Sequence, residues 1–141
     1  MSQILDTSGV RPAPGSRLAA HTAVAIARLL ARLPPRRIRA ALGVARRGAR
    51  PARYDEALRA RQEVTAVSTL CAGRYCLQRS LATALLCRMR GHWPQWCSGV
   101  RTSPFGAHAW VEAEGRPVGE PNDTATYRAM IAVPAQPQTR G

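Results

Sequence analysis

Cys76-Leu77-Gln78-Arg79-Ser80-Leu81 opens a run in which Leu77, Leu81, Ala82, Leu85, Leu86 and Met89 cover most of a helix circumference up to Arg90. A helix that is apolar nearly all round is a central one, and this one carries a cysteine at its start. A thiol is a strong nucleophile only as thiolate, a form favoured at a helix N-terminus by unpaired N–H groups and the positive end of the helix dipole. Downstream, Ala107-His108-Ala109-Trp110-Val111-Glu112 alternates as a strand does, with His108, Trp110 and Glu112 on one face and Ala107, Ala109 and Val111 on the other. A histidine on a second element can take the thiol proton, and an acid can hold the imidazole in the right tautomer. Cys76 and His108 are therefore the candidate nucleophile and base.

The third partner depends on a turn. Residues 95–101 and 106–113 read as short strands around a turn-rich Thr-Ser-Pro-Phe-Gly connection. If Ala113-Glu114-Gly115 forms a three-residue loop with Gly115 left-handed, His108 lies opposite Glu120 on a shared face. A two-residue loop at Glu114-Gly115 would set the two on opposite faces. The three-residue loop is expected because a glycine stands where it requires one, which makes Glu120 the candidate acid. Asp123 is the alternative, reachable if the chain curls back after the strand.

Upstream of Cys76 the pattern is helical. Leu18, Ala25, Ile26, Leu29, Leu30 and Leu33 recur at helical spacing over 17–33, with Ser16 as a possible cap, and are expected to pack on the rest of the protein. Membrane-surface binding is the lesser reading of that stripe, and the segment is too short and charged to span a bilayer, which needs about 20 apolar residues. Pro34-Pro35 starts a second short helix that Gly43 should stop. Residues 46–53 read as a solvated basic connector. A third helix, 54–70, carries Ala57, Ala60, Val64, Val67 and Cys71 on one stripe, so Cys71 reads as core, as does Cys87. Residues 121–130 suggest a short turn or helix anchored by Tyr127 and Ile131. His21 and His92 have no acidic or cysteine neighbour at useful spacing and are not expected to be functional.

The 141 residues suit one domain: 16–133, with a helical segment 16–52, between flexible ends 1–15 and 134–141. Twenty-five alanines and only seven aromatic residues favour helices packed through small side chains. All twenty-one basic residues are arginine, and the net charge is +13. Alanine and arginine abundance without lysine reads as GC-rich codon usage on a solvated surface, so nucleic acid is not the expected partner, while an acidic or phosphate-bearing one stays open. No signal-peptide pattern precedes the helices, which points to a reduced, cytoplasmic protein. The four cysteines form no Cys-x-x-Cys pair, and Cys76 and Cys87 lie about 16 Å apart along one helix, so a shared metal is not expected.

Taken with Gly99-Val100-Arg101, Pro104-Phe105 and Gly115-Arg116, the Cys76 and His108 motifs resemble the leader peptidases of lasso-peptide biosynthesis, most closely over 53–120. The resemblance implies an α+β fold: N-terminal helices plus a transglutaminase-like, papain-related core in which the cysteine-bearing helix packs on a small antiparallel sheet. It implies a Cys76 nucleophile and a His108 base. Its third member, usually an aspartate twelve residues beyond the histidine, maps onto Glu120. Trp110, Arg79 and Phe105 are the expected substrate-binding residues, with no metal or cofactor. The implied activity is removal of the leader from a precursor peptide, so that a separate ATP-using lasso cyclase can close the macrolactam. No strand-rich leader-binding module precedes residue 53, which implies a separate leader-binding protein as partner. An arginine-rich nucleic-acid-binding protein and a non-catalytic leader-binding scaffold are the competing readings.

Overall fold

The computed structural model describes residues 14–68, 76–102, 104–120, 124 and 126–136. Its centre is a helix, Cys76–Met89 (α4 in chain order), in which Ser80, Leu81, Ala82, Thr83, Ala84, Leu86 and Cys87 are all buried. Five consecutive buried residues leave no solvent face along that turn, as the all-round apolar pattern predicted. The two hydroxyls among them are satisfied: Ser80 and Thr83 donate to the carbonyls of Leu77 and Arg79 one turn back. Ser80 Oγ also accepts the indole N–H of buried Trp96 at 3.0 Å.

Three helices precede α4: α1 (Pro14–Leu30), α2 (Pro35–Ala45) and α3 (Tyr54–Val67). Ala20, Ala23 and Ala27 of α1, Ala57 and Ala60 of α3, and Ala82 and Ala84 of α4 are all fully buried, so these helices meet through methyl groups. This contact corrects the expected face of α1 in part: Leu30 at its end and Leu33 just beyond pack against the core as expected, but the rest of the stripe does not. Ala20, Ala23, Val24 and Ala27 also recur at helical spacing and point inward, while Leu18, Ile26 and Leu29 are exposed. Small side chains allow a close approach that the leucines would prevent. The helix begins at Pro14, so Ser16 falls inside its first turn instead of capping it. Gly43 does not stop α2. Arg88 donates to the carbonyls of Ala45 and Arg47, and the chain turns at Gly48, which has φ 79°. The connector that follows is partly ordered: β1 (Arg50–Pro51) pairs in parallel with β2 (His92–Trp93), so His92 sits on a strand and not in a loop.

The main sheet is antiparallel in the order β5-β4-β3-β6, with β3 at Gln95–Thr102, β4 at Phe105–Ala113, β5 at Arg116–Pro117 and β6 at Arg128–Val133. Helix α4 lies against β3 and β4. The short turn expected within 121–130 is present where the Tyr127 amide donates to the Thr124 carbonyl at 3.1 Å, but from Arg128 the chain is strand β6; Val133 at its end is buried, and its carbonyl accepts the Trp93 indole N–H at 3.0 Å. Residues 134–136 are also less free than expected. The Pro134 carbonyl accepts from Arg46, and Gln136 Oε1 from the Gly48 amide. The core assignment of Cys71 lies outside the described residues, as do residues 1–13 and 137–141.

The β4–β5 hairpin overturns the expected register. Glu112 pairs with Pro117 and Ala113 with Arg116, which makes Glu114-Gly115 a two-residue loop with φ of 54° and 77°. Positive φ at both central residues is the type I′ geometry that matches strand twist. Glu114 tolerates it because its carboxylate is anchored elsewhere: Oε2 accepts the Tyr54 amide at 2.7 Å, at the N-terminus of α3.

No helix among the described residues is long and apolar enough to cross a membrane. The α+β architecture of helices on an antiparallel sheet is the one expected.

Candidate active site

Cys76 is the first residue of α4, and its side chain is half-buried. Its thiol is hydrogen-bonded to His108 and receives the backbone N–H of Ala109. The helix that carries the sulfur and the strand that carries the imidazole thus meet where α4 crosses β4. The His108 contact, the Ala109 N–H and the nearby Arg79 charge pull the thiol below its ordinary range, against the opposing effect of burial. His108 moves the other way, up to about 9, through its hydrogen bonds to Cys76 and Glu120, again against burial. A thiolate facing an imidazolium is the state these shifts favour.

Glu120 Oε1 lies 2.7 Å from His108 Nε2. The route to this contact differs from the expected one. With the two-residue loop, the Val118 amide donates to the Val111 carbonyl at 2.9 Å, and a continued ladder would put Glu120 opposite Ala109, on the wrong face. The ladder does not continue. Gly119 has φ 65°, a left-handed turn that breaks the alternation and swings Glu120 back to the imidazole. A side chain at 119 would also press on Arg61, whose Cδ would stand 3.1 Å from the added carbon. Asp123, the alternative acid, lies outside the described residues.

The Glu120 carboxylate is 2 % exposed and makes a second contact, with Arg61 Nε at 3.5 Å from its Oε2. Burial alone would raise its pKa; the His108 hydrogen bond and the charges of Arg61 and Arg79 outweigh burial and hold it low. Arg61 sits on α3, far away in sequence, and is a positioning group that the linear pattern did not reveal. Tyr127 is another. Its ring lies 5.3 Å from the imidazole, and Arg101 stacks over that ring at 4.9 Å from its centroid. Tyr54 completes the support: its hydroxyl accepts the Gly119 amide, and Arg116 stacks on its ring at 4.1 Å.

The three expected substrate-binding residues separate. Trp110 is 3 % exposed and stacks on His108 at 5.6 Å and 15°, with its indole N–H on Glu112 at 2.9 Å. Its buried ring packs against the imidazole. Arg79 stands one turn beyond Cys76 on α4, half-buried and close enough for its charge to act on both Cys76 and Glu120. Phe105 is 76 % exposed at the β3–β4 turn. Gly99 faces His108 across the β3–β4 ladder, and any side chain there would collide with the Arg128 carbonyl at 2.2 Å, beside a register shift in β6.

Among the described residues no cluster of three or more His, Cys, Asp or Glu side chains is placed to hold a metal ion. A half-buried thiolate, a protonated imidazole and a carboxylate in series can attack a carbonyl carbon and hand a proton to the group that leaves.

Comparison with protein families matches residues 20–132 to the transglutaminase-like superfamily. No curated protein and no solved structure matches the chain. The match spans both the helix of Cys76 and the strand of His108, and the helix-on-sheet arrangement accords with it: the chain belongs to the transglutaminase-like superfamily and has its cysteine-peptidase-like α+β fold.

Proposed function

We propose that the protein is a cysteine peptidase that removes the leader from a lasso-peptide precursor. The observation that carries this reading is the series Cys76, His108, Glu120, with the thiol at a helix start and its pKa lowered by the imidazole. The Cys76 and His108 motifs and membership of the transglutaminase-like superfamily support it.

In this reading the Cys76 thiolate attacks the carbonyl at the junction of leader and core, forming a tetrahedral oxyanion. The Cys76 N–H and a neighbouring donor stabilise that oxyanion. His108 protonates the departing amine, which leaves as the new N-terminus of the core, and the leader remains as a thioester. His108 then takes a proton from water, the hydroxide attacks the thioester, and the leader acid leaves as thiolate is restored. Glu120 keeps the imidazole oriented and stabilises its positive charge. Arg79 and the exposed Phe105 contact the peptide in this reading. A separate leader-binding protein delivers the precursor, and a separate ATP-using cyclase receives the freed core.

The test is to incubate the chain with a precursor and leader-binding protein encoded beside it and to locate the cut by mass. Cleavage at one junction that disappears in Cys76→Ala and His108→Ala, with the fold intact by circular dichroism, is the expected result. Undiminished cleavage by either variant would remove the assignment. Salt-sensitive nucleic-acid binding that survives Cys76→Ala, or leader binding without selective alkylation of Cys76, would favour the two non-enzymatic readings instead.

A further inference from the structure

Helix α1 has two apolar faces. The inner one is made of Ala20, Ala23 and Ala27, all fully buried. The outer one holds the larger side chains: Leu18 at 68 %, Ile26 at 42 % and Leu29 at 63 % exposure. At about 100° per residue these three fall on one side of the helix, together with Thr22 and Ala25. Single exposed leucines are ordinary, but three large aliphatics aligned outward over a helix that already buries its opposite face form a surface with a use.

Along the chain, this helix and the segment after it carry charge of one sign. No Asp or Glu stands between Asp6 and Asp55, while residues 17–50 contain nine arginines. Arg17, Arg28 and Arg32 in and after α1, and Arg36, Arg37 and Arg39 on α2, are exposed and make no ion pair with another described residue. Asp55, Glu56 and Glu63 lie on α3, and Glu112, Glu114 and Glu120 lie on and after the β4–β5 hairpin. A second copy of the chain would bring the same net charge of +13 to the contact and be repelled. Nucleic acid would account for the arginines but not for the outward leucines. An exposed aliphatic stripe on a helix whose charged side chains, Arg17 and Arg28, are both cationic is the pattern of a helix that lies in the plane of an anionic bilayer.

We infer that α1 docks the protein on an anionic lipid surface, with Leu18, Ile26 and Leu29 entering below the headgroups and Arg17 and Arg28 on lipid phosphates. The inference is independent of the peptidase reading, since none of these residues belongs to the candidate active site. The contact is reversible, requires anionic lipid and weakens with salt.

The test is flotation of the full chain with vesicles containing phosphatidylglycerol and with vesicles of phosphatidylcholine alone. The protein should float with the first and not the second. The double variant Leu18→Glu, Leu29→Glu should bind the anionic vesicles at least about tenfold more weakly. Loss of one charge in Arg28→Gln should cost about fivefold. Because these side chains are exposed, circular dichroism should show an unchanged fold, and Leu29→Trp offers a fluorescence reporter that blue-shifts on insertion. Failure to float with anionic vesicles overturns the inference, including the case in which an acidic protein, and not lipid, is then found on this face. Undiminished flotation of the double glutamate variant overturns it as well, because attraction would then come from charge alone.

Discussion

The two ends of α4 hold the same three residue types and treat them in opposite ways. At the N-terminus stand Cys76, His108 and Glu120; at the C-terminal end stand Cys87, with His92 and Glu56 close by. Cys76 is drawn below its ordinary range, whereas burial and the charges of Glu56 and Glu63 push Cys87 up to about 12. His108 rises to about 9, while burial lowers His92. The acids differ in the same sense. Glu120 is aimed at the imidazole at 2.7 Å, but Glu56 lies 4.0 Å from His92 and is occupied by the Arg50 side chain and the Arg53 amide. Composition does not make a nucleophile. The positive end of a helix, partial exposure and an acid free to engage the imidazole do.

The largest effect should come from the sulfur itself. Cys76→Ala is expected to lower kcat/KM on the precursor by more than about 10^4-fold, while Cys87→Ala leaves it near wild type. Equal loss from both would erase the contrast between the two ends of the helix. Next comes the acid. Glu120→Gln should reduce kcat/KM by about 10^2- to 10^4-fold, and Glu56→Gln should leave it unchanged.

The acid also sets the pH profile. Because Glu120 raises the pKa of His108, the alkaline limb of activity should lie near 9 in the wild type and move to lower pH in Glu120→Gln. The same shift stabilises the fold: this contribution is complete below the ordinary imidazole pKa of about 6.5 and fades as pH rises through about 9. A profile that stays fixed in Glu120→Gln would mean that the 2.7 Å contact has no bearing on the imidazole.

A smaller effect is expected at Arg61, which acts through Glu120. Arg61→Met should reduce kcat by about tenfold with KM nearly unchanged. A change confined to KM would make Arg61 a substrate contact instead. The smallest effect belongs to His92. Its buried Nδ1 has no hydrogen-bond partner among the described residues, so His92→Phe should change stability by no more than about 1 kcal/mol by urea unfolding.

Periodicity was a reliable guide where one element explains itself. The all-round apolar run after Cys76 became the central helix, and the alternation around His108 became β4 with Trp110 stacked on the ring. It misled where two elements decide the outcome together. The buried face of α1 was chosen by the alanines of its neighbours, so Leu18, Ile26 and Leu29 turned outward while Leu30 and Leu33 packed inward as expected. The β4–β5 loop took its shorter form because Glu114 anchors at Tyr54, sixty residues away, a contact no local pattern contains. Glu120 was named by a register that the chain does not adopt, and it reaches His108 through the turn at Gly119. Arg61 left no signal and Tyr127 only that of an anchor, because their places beside the acid and the imidazole arise only when α3 and the segment before β6 close around the site.

The most direct measurement is the rate of Cys76 alkylation by iodoacetamide against pH, read by mass spectrometry in the wild type and in His108→Ala. The ion pair predicts that wild-type Cys76 reacts at a pH well below the ordinary thiol range, that Cys87 stays unmodified until the protein unfolds, and that His108→Ala moves the Cys76 midpoint upward. A Cys76 midpoint in the ordinary thiol range that is the same in both proteins would contradict the account.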